Sequence, residues 1–222
     1  MQLFDKDLLS VQEVRDLMAA AKAAQAELAE KSQEEVDKIV KSIADAGVRN
    51  AARLAVMANE DTGFGIVADK VVKNVFGSYN VYQAIKDMKT IGVIDRNEEK
   101  GLITIASPVG VVAGVIPSTN PTSTTLFKAE IAIKAGNAIV FSPHPSALQE
   151  TVKVIRQAIS EVGGNPDLVS CISIPTRQAT ETLMQHPDTA MILATGGSAM
   201  VRAAYSSGNP AIGVGPGNGP AF

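Results

Sequence analysis

The sequence has few of the residues that mark disulfide-bonded, metal-binding or nucleic-acid-binding proteins. It contains one cysteine, two histidines and no tryptophan in 222 residues. A single cysteine excludes an intramolecular disulfide, and no metal-ligand cluster surrounds it, so we expect no metal site. Lys and Arg total 20 against 23 Asp and Glu, no Lys/Arg run occurs, and aromatic residues make up 4%. We therefore expect no nucleic-acid partner, because such partners need basic clusters and stacking aromatic residues.

The sequence also shows no segment of the kind that directs a protein to or through a membrane. No apolar run approaches the roughly 20 residues that span a bilayer. Asp5 and Asp7 stand where a secretory signal would carry basic residues. The sequence accordingly predicts a cytoplasmic protein without a membrane partner. Its composition, 45% hydrophobic and 19% charged, is typical of a globular protein.

Apolar residues at helical spacing fill the first 60 or so positions. Two capping boxes, Ser10-x-x-Glu13 and Ser32-x-x-Glu35, predict the starts of two helices. Gly47 predicts an interruption of the second helix, followed by another over residues 48–59. A detached targeting or encapsulation peptide is the alternative interpretation of the first helix, but no flexible linker follows it.

Two further segments precede the second half of the chain. Residues 66–89 have apolar positions at helical spacing among many Lys and Asp, which predicts a surface helix with solvated charges. Residues 102–105 alternate in polarity and predict an exposed or edge strand, an arm that would pair with something outside the domain.

From residue 109 onward, strand and helix patterns alternate regularly. Such alternation predicts an α/β fold with a parallel five-stranded Rossmann-like sheet, helices on both faces and right-handed crossovers. We expect a helical region over residues 1–100 packed on an α/β nucleotide-binding domain over residues 101–222, forming one domain overall. The predicted strands are residues 109–116, 138–141, 168–174, 189–194 and 211–214, and the predicted helices are residues 122–135, 147–162, 177–185 and 198–205.

The turn after the first of these strands is the centre of the predicted site. A buried strand ends at Ile116, Asn120 is a good N-cap, and Pro121 suits the first helical position, so free N–H groups would point back at the strand end. In parallel sheets the ligand lies at that edge. The remaining strand-end turns are rich in Gly, Ser, Thr and Asn: Ser142–Pro143–His144, Pro175–Thr176, Thr195–Gly196–Gly197–Ser198 and residues 213–219.

Small residues at the start of a helix, as in residues 195–198, let a phosphate approach the backbone and the favourable end of the helix dipole. An ordinary strand-to-helix turn explains the same spacing, and both interpretations stay open. No G-x-G-x-x-G fingerprint follows the first strand, so an ordinary Rossmann dinucleotide site is not supported. His144 is the better histidine candidate for a ligand contact and His186 the weaker one, since both lie in predicted loops. Cys171 lies inside a predicted strand and is interpreted as a small hydrophobic residue without a reactive role.

Six motifs, in order along the chain, resemble those of the CoA-acylating aldehyde dehydrogenases, and most closely the aldehyde dehydrogenase part of bifunctional aldehyde-alcohol dehydrogenases. The sequence is similar to the N-terminal, cofactor-binding portion of these enzymes. The motifs are residues 104–110 (TIASPVG), 116–124 (IPSTNPTST), 141–145 (FSPHP), 192–197 (ILATGG), 203–208 (AAYSSG) and 210–218 (PAIGVGPGN).

The resemblance implies an NAD-binding domain of the aldehyde dehydrogenase type. It places Asn120 near the amide that donates to the oxyanion of the thiohemiacetal, although the turn is one residue longer than in hydrolytic members. NADP stays possible, because the Lys and Glu of the hydrolytic pattern are replaced by Ser142 and Pro145. The implied cofactor contacts are Pro117, Ser118 and Thr119 beside the nicotinamide half, Ser142, Pro143 and His144 at the adenosine ribose, Thr195, Gly196, Gly197 and Ser198 at the pyrophosphate, and Val214 and Gly215 in the glycine run.

One departure bears on the reaction. Hydrolytic members carry a Glu general base where this sequence has Gly213, Val214 and Gly215. Without that base, water is a poor nucleophile toward a thioester, whereas the thiol of CoA is a good one. The resemblance thus implies conversion of an aldehyde, acetaldehyde first, plus CoA to acyl-CoA with reduction of NAD, in a homo-oligomer formed through the strand arm.

The family's catalytic cysteine is expected downstream, in a second domain, so we expect this polypeptide alone to be inactive. Two alternatives stay open. One is a non-catalytic nucleotide-binding or assembly module of the same fold. The other is a reductase of acyl phosphates, which would need basic phosphate-binding residues that the strand-end turns do not contain.

Overall fold

A computed structural model describes residues 5–142, 146–215 and 217. Its centre is a parallel five-stranded sheet with the order β5-β4-β3-β6-β7, as predicted. Because the chain moves outward from β3 to β5 and then crosses to the other side of β3, a switch point lies between β3 and β6. The strands are β3 (Val111–Val115), β4 (Ala138–Phe141), β5 (Val169–Cys171), β6 (Thr189–Thr195) and β7 (Ala211–Val214).

The burial of β3 and its neighbour β4 shows that the sheet is covered on both faces. Every residue of β3 and β4 is buried, which is the pattern of strands with helices on either side. In the register, Val112 lies beside Ile139 on one side and beside Met191 on the other. The apolar runs predicted as strands therefore form the middle of the core.

Strand β5 is shorter than the predicted residues 168–174. Leu168 belongs to a 3-10 turn (Pro166–Leu168) before the strand. After Cys171, the ladder to β4 ends because the N–H groups of Ser173 and Ile174 donate to the carboxylate of Glu13, at 2.8 and 3.0 Å. A side chain from the N-terminal helix thus replaces the next strand pairing.

Helices cover both faces of the sheet. On one face, α5 (Pro121–Lys134) and α6 (Ser146–Glu161) pack on the strands, and the long helix α2 (Gln33–Thr62) packs on them from outside. On the other face, α1 (Lys6–Ala29) and α7 (Arg177–Gln185) lie together, while α8 (Ser198–Tyr205) covers β6 and β7. Residues of α1 and α2 share one hydrophobic core with the sheet, so α1 is not a detached peptide.

The first predicted capping box is wrong and the second is confirmed. Helix α1 begins earlier, at Lys6, because the Asp5 carboxylate accepts from the N–H groups of Asp7 and Leu8. Ser10 lies inside the helix, and its hydroxyl is 2.6 Å from that of Thr176. Ser32 caps α2, and both reciprocal bonds with Glu35 are present.

The predicted break at Gly47 is also wrong, since α2 is continuous through it. A Cβ built on Gly47 would lie 2.7 Å from Cβ of Ser78 and 3.0 Å from Cδ2 of Leu126. The glycine therefore allows close packing between helices. It does not end one.

The predicted surface helix over residues 66–89 is helical but not uniform. It consists of α3 (Val67–Val75), one π-helical turn (Phe76–Asn80) and α4 (Val81–Ile85). Lys70, Asn74 and Ser78 are buried along its inner face. Asn74 joins this helix to its neighbours, because its amide donates to the Ala51 carbonyl and its oxygen accepts from the Thr122 hydroxyl, at 2.9 and 2.7 Å.

The predicted strand at residues 102–105 is confirmed as β2 (Leu102–Ala106). It pairs antiparallel with β1 (Gly92–Asn97), a strand that the sequence analysis missed, in a separate two-stranded sheet. Leu102, Ile103 and Ile105 are all more than half exposed. Over the described ranges, no helix combines the length and apolarity needed to cross a bilayer.

Candidate functional site

A cavity of about 510 Å³ opens at the carboxyl ends of β3 and β6, at the switch point of the sheet. Turns that are far apart in the sequence meet there, as the parallel topology requires. Its lining consists of Val115, Ile116, Pro117, Ser118, Thr119, Asn120, Thr124, Ser142, Thr180, Thr195, Gly196, Gly197, Met200, Gly215 and Gly217.

Most residues predicted to bind a cofactor lie in this lining. Of the described residues predicted for the site, Ser198 and Val214 are not part of it, although each is the chain neighbour of one that is. Pro143 and His144 lie outside the described residues. The sequence analysis missed Thr124, Thr180 and Met200; Thr124 could have been found, because it lies one helical turn after Asn120. The predicted residues in the lining are Pro117, Ser118, Thr119, Asn120, Ser142, Thr195, Gly196, Gly197 and Gly215.

The start of α8 offers room and hydrogen-bond donors to an anion. Gly197 is the N-cap residue and makes no side-chain cap bond, so the first N–H groups of the helix are free of a capping side chain. Among the described residues, a Cβ on Gly197 would meet no atom within 4 Å, and the same holds for Gly215 and Gly217. This side of the cavity can therefore admit a phosphate close to the backbone.

Two lysines from α3 donate hydrogen bonds to the turn before α5. Lys70 is buried, and its ammonium group donates to the Thr119 carbonyl at 2.9 Å. Lys73 donates to Oδ1 of Asn120 at 3.2 Å. Burial, reinforced by the charge of Lys73, lowers the pKa of Lys70. The backbone of Asn120 is at the N-cap position as predicted, but its side chain makes no cap bond.

Lys128 lies under the floor of the cavity. Its side chain is buried, and Nζ donates to the carbonyls of Val115 and Leu193, at 2.8 and 2.7 Å. These carbonyls belong to β3 and β6, so Lys128 ties together the two strands that flank the switch point. Burial lowers the pKa of Lys128 to about 7. A neutral amine has two N–H groups, which match the two carbonyls.

An apolar groove of about 500 Å³ adjoins the cavity. Asn120 and Thr124 line both, so these two side chains form the boundary between the cavity and the groove. The rest of the groove is lined by Val72, Lys73, Phe76, Gly77, Val81, Ser123 and Phe127.

The remaining candidate residues, Cys171 and His186, are not part of the cavity lining. Cys171 is half-buried at the end of β5, and burial, followed by the charge of Glu13, raises the pKa of its thiol to about 11. It therefore stays protonated and is a poor nucleophile. His186 precedes β6, at the opposite edge of the sheet, and accepts from the Asp188 N–H at 3.1 Å. Within the described part of the chain, no group of three or more His, Cys, Asp or Glu is placed to hold a metal ion.

Comparisons with known proteins point in one direction. The sequence model of the Aldehyde dehydrogenase family matches residues 5–212. The bifunctional aldehyde-alcohol dehydrogenase AdhE of Escherichia coli is 49% identical over 214 residues, which are 95% of this chain and 24% of that protein. A probable aldehyde dehydrogenase of Listeria monocytogenes superposes with a TM-score of 0.95 at 61% identity, covering 97% of this chain and 48% of that one. An acetylating aldehyde dehydrogenase of Geobacillus thermoglucosidasius gives 0.96 at 56% identity, with the same coverage.

The chain thus spans about half the length of these two solved structures and about a quarter of the bifunctional relative. The likeness to the two solved structures extends over 97% of this chain.

Proposed function

This chain belongs to the aldehyde dehydrogenase family, and we propose that it is the coenzyme-binding portion of a CoA-acylating member, which converts an aldehyde plus CoA to acyl-CoA with reduction of NAD. The observation that carries the proposal is the cavity at the switch point between β3 and β6, in which separate strand-end turns meet. The acetylating relative, at 56% identity, supports CoA as the acyl acceptor.

The residues of the cavity fit a dinucleotide. Thr195, Gly196 and Gly197 present small side chains and the free start of a helix, which suits the pyrophosphate. Pro117 to Thr119 line the part of the cavity after β3, where the nicotinamide half would lie, and Ser142 lies after β4, on the adenosine side. When bound, the coenzyme supplies the acceptor for the hydride. NAD is the proposed coenzyme and NADP the alternative, with Ser198, Val214, Pro143 and His144 as further proposed contacts.

Asn120 is the proposed catalytic residue of this chain. It stands between the coenzyme cavity and the apolar groove, so its side-chain amide can donate to an oxygen of an aldehyde that reaches the border from the groove. Phe76 and Phe127 in the groove suit a small apolar aldehyde such as acetaldehyde. The attacking cysteine is not proposed to be Cys171, because its thiol stays protonated and lies outside the cavity lining.

Transfer to CoA in place of hydrolysis is supported by the glycine segment at the end of β7. Residues 213–215 carry no carboxylate, and a Cβ on Gly213 would lie 2.5 Å from Cγ1 of Val201. A general-base side chain at Gly213 would therefore displace α8. Without such a base nearby, a thiol is the better acceptor of the acyl group.

The two-stranded sheet supports the proposed homo-oligomer. β1 and β2 pair only with each other among the described strands, and the apolar side chains of β2 face solvent. An exposed, apolar two-stranded sheet is a ready surface for strand addition by a second subunit. A cytoplasmic location is part of the same proposal.

The test is titration of the 222-residue polypeptide with NAD and with NADP by calorimetry. We expect weak NAD binding that is lost in Gly197→Val, because the added side chain enters space that the pyrophosphate needs, where no atom of the described residues lies within 4 Å of its Cβ. Ala203→Val is the matched control. Ala203 is an exposed residue of the same helix, so this variant should bind NAD like the unchanged chain. Unchanged affinity in Gly197→Val would move the pyrophosphate elsewhere.

A non-catalytic binding module is the second candidate, because the chain's one cysteine is unsuited to catalysis. Mass spectrometry of the native protein separates the two. A native polypeptide of the length of the solved relatives supports the enzyme, and one ending near residue 222 supports the module. In either case we expect no aldehyde- and CoA-dependent NADH formation from these 222 residues alone.

A further inference from the structure

The side chain of Asn120 does not make the cap hydrogen bond that its position favours. Asn is among the best N-cap residues, and a cap bond contributes roughly 1 kcal/mol to helix stability. Asn120 occupies the N-cap position of α5 by its backbone, since its carbonyl accepts from the Thr124 N–H at 3.3 Å. Its side chain nevertheless makes no bond to the first turn of the helix. Something else holds the side-chain oxygen.

Lys73 is that partner. Its Nζ donates to Oδ1 of Asn120 at 3.2 Å, across 47 positions of sequence. An ammonium group has only donors, so the atom that faces Lys73 must be the amide oxygen. Nδ2 of Asn120 is then directed away from Lys73, and the one hydrogen bond that it makes within the described ranges, to the Thr119 hydroxyl, is at 3.5 Å, the outer limit for such a bond. The amide donor is thus available to a ligand.

The backbone of the turn is held independently of this contact. Lys70, one helical turn before Lys73, is 5% exposed and donates to the Thr119 carbonyl at 2.9 Å. Asn74 accepts from the hydroxyl of Thr122 at 2.7 Å and so joins α3 to the first turn of α5. Helix α3 therefore provides a frame in which Lys73 can control the amide of Asn120 without being needed to hold the turn.

We propose that Lys73 is a positioning residue that withdraws the Asn120 oxygen from the helix cap and thereby aims the Asn120 amide N–H at the border between the cavity and the apolar groove. There the amide donates to the oxygen that becomes negative when a nucleophile adds to the aldehyde. This role rests on the function proposed above. The positive charge on Lys73 also polarises the amide and strengthens it as a donor.

Hydrogen exchange of backbone amides tests the positioning without any reaction. In Lys73→Met, Oδ1 of Asn120 is released and should return to the cap, so exchange of the Thr122 or Ser123 N–H should slow about fivefold, the equivalent of a cap bond. Lys73→Arg keeps a donor and should exchange like the unchanged chain. Lys41→Met removes an exposed lysine paired with Asp45 on α2 and is the control. Unchanged exchange in Lys73→Met would overturn the proposal.

Kinetics of the enzyme at full family length tests the consequence. We expect Lys73→Met to lower kcat by about tenfold or more, with KM for NAD unchanged, because complete loss of an oxyanion donor lowers kcat about 100- to 1,000-fold. Lys73→Arg should restore most of kcat. A raised KM for the aldehyde at unchanged kcat would overturn the proposal and assign Lys73 to substrate binding.

The two measurements separate this proposal from the proposed function. If the unchanged enzyme forms no NADH from aldehyde and CoA, the proposed function fails, while the exchange result still decides whether Lys73 positions Asn120. If the enzyme is active and Lys73→Met keeps full kcat, the catalytic role of the positioning fails alone.

Discussion

Lys128 and Glu130 lie two residues apart on α5, and both are buried. Burial lowers the pKa of Lys128 to about 7 and raises the pKa of Glu130 to about 9. Between these values both side chains are neutral. They differ in their partners: the Lys128 amine bonds two carbonyls, whereas neither carboxyl oxygen of Glu130 has a hydrogen-bond partner among the residues that the structure describes. One helix thus carries a satisfied buried base and an unsatisfied buried acid.

Glu130 should make the protein less stable as pH rises. The unfolded chain loses this proton near pH 4.5, and the folded chain keeps it to about 9, so between these values the folded state binds the extra proton. The free energy of unfolding should therefore fall by roughly 2 to 3 kcal/mol from pH 5 to pH 7, at about 1.4 kcal/mol per unit. Urea unfolding at both pH values measures this.

Glu130→Gln should remove the slope, and Glu130→Leu should also raise stability at pH 7 by about 2 kcal/mol, because an unsatisfied buried polar group is lost.

Glu99→Gln is the control for that series, since Glu99 is exposed in the β1–β2 turn. It should leave the slope unchanged. An unaltered slope in Glu130→Gln would show that another group carries the pH dependence.

Lys128 should act in the opposite direction at higher pH. Its pKa is lowered from 10.5 to about 7, so above pH 7 the folded state binds fewer protons than the unfolded state, and stability should rise with pH toward 10.5. The Glu130→Leu background keeps the two effects from cancelling between pH 7 and pH 9. There, Lys128→Met should abolish the rise and cost about 1 to 3 kcal/mol at pH 8, since two buried carbonyls lose their donor. Stability of Lys128→Met that still rises with pH would contradict the assignment.

Gly47→Ala should destabilise the protein although alanine is the better helix former. The new Cβ would lie 2.7 Å from Cβ of Ser78, and overpacking of this kind costs about 1 to 3 kcal/mol. Thermal unfolding measures the loss. Adding Ser78→Gly makes room and should recover part of it; a double variant no more stable than Gly47→Ala would show that Leu126, at 3.0 Å, is the limiting contact.

Ser32→Ala should lower the free energy of unfolding by about 1 kcal/mol, because it removes the hydroxyl that accepts from the Glu35 N–H in the capping box at the start of α2. Ser206→Ala, on an exposed serine, should change it by less than about 0.5 kcal/mol. Equal effects of the two substitutions in urea unfolding would mean that the capping box contributes nothing measurable.

The comparison of sequence and structure separates local from distant causes. The Ser32 box was predictable because its donors and acceptors lie within four residues. The Ser10 pattern has the same spacing and failed, because Asp5 already caps this helix and Glu13 bonds instead to Ser173 and Ile174, about 160 positions away. Gly47 was misinterpreted for the same reason: a glycine that ends a helix and one that admits a neighbour look alike until the neighbour is known.

The candidate site shows the same division. The strand-end turns were predictable, since parallel strands bring their carboxyl ends to one edge. The hydrogen bond from Lys73 to the side-chain oxygen of Asn120 was not predictable. The sequence around an N-cap residue gives no sign that a lysine 47 positions earlier will bind its oxygen.

By itself, the sequence determined the alternation of buried strands and helices, the parallel sheet and the turns that gather at its edge, because periodicity and turn chemistry act over a few neighbouring residues. Only the tertiary structure decided which polar side chains are buried, which glycines admit a neighbour and which way the amide of Asn120 points. Those outcomes depend on the groups that packing brings into contact across the fold, and no local pattern encodes them.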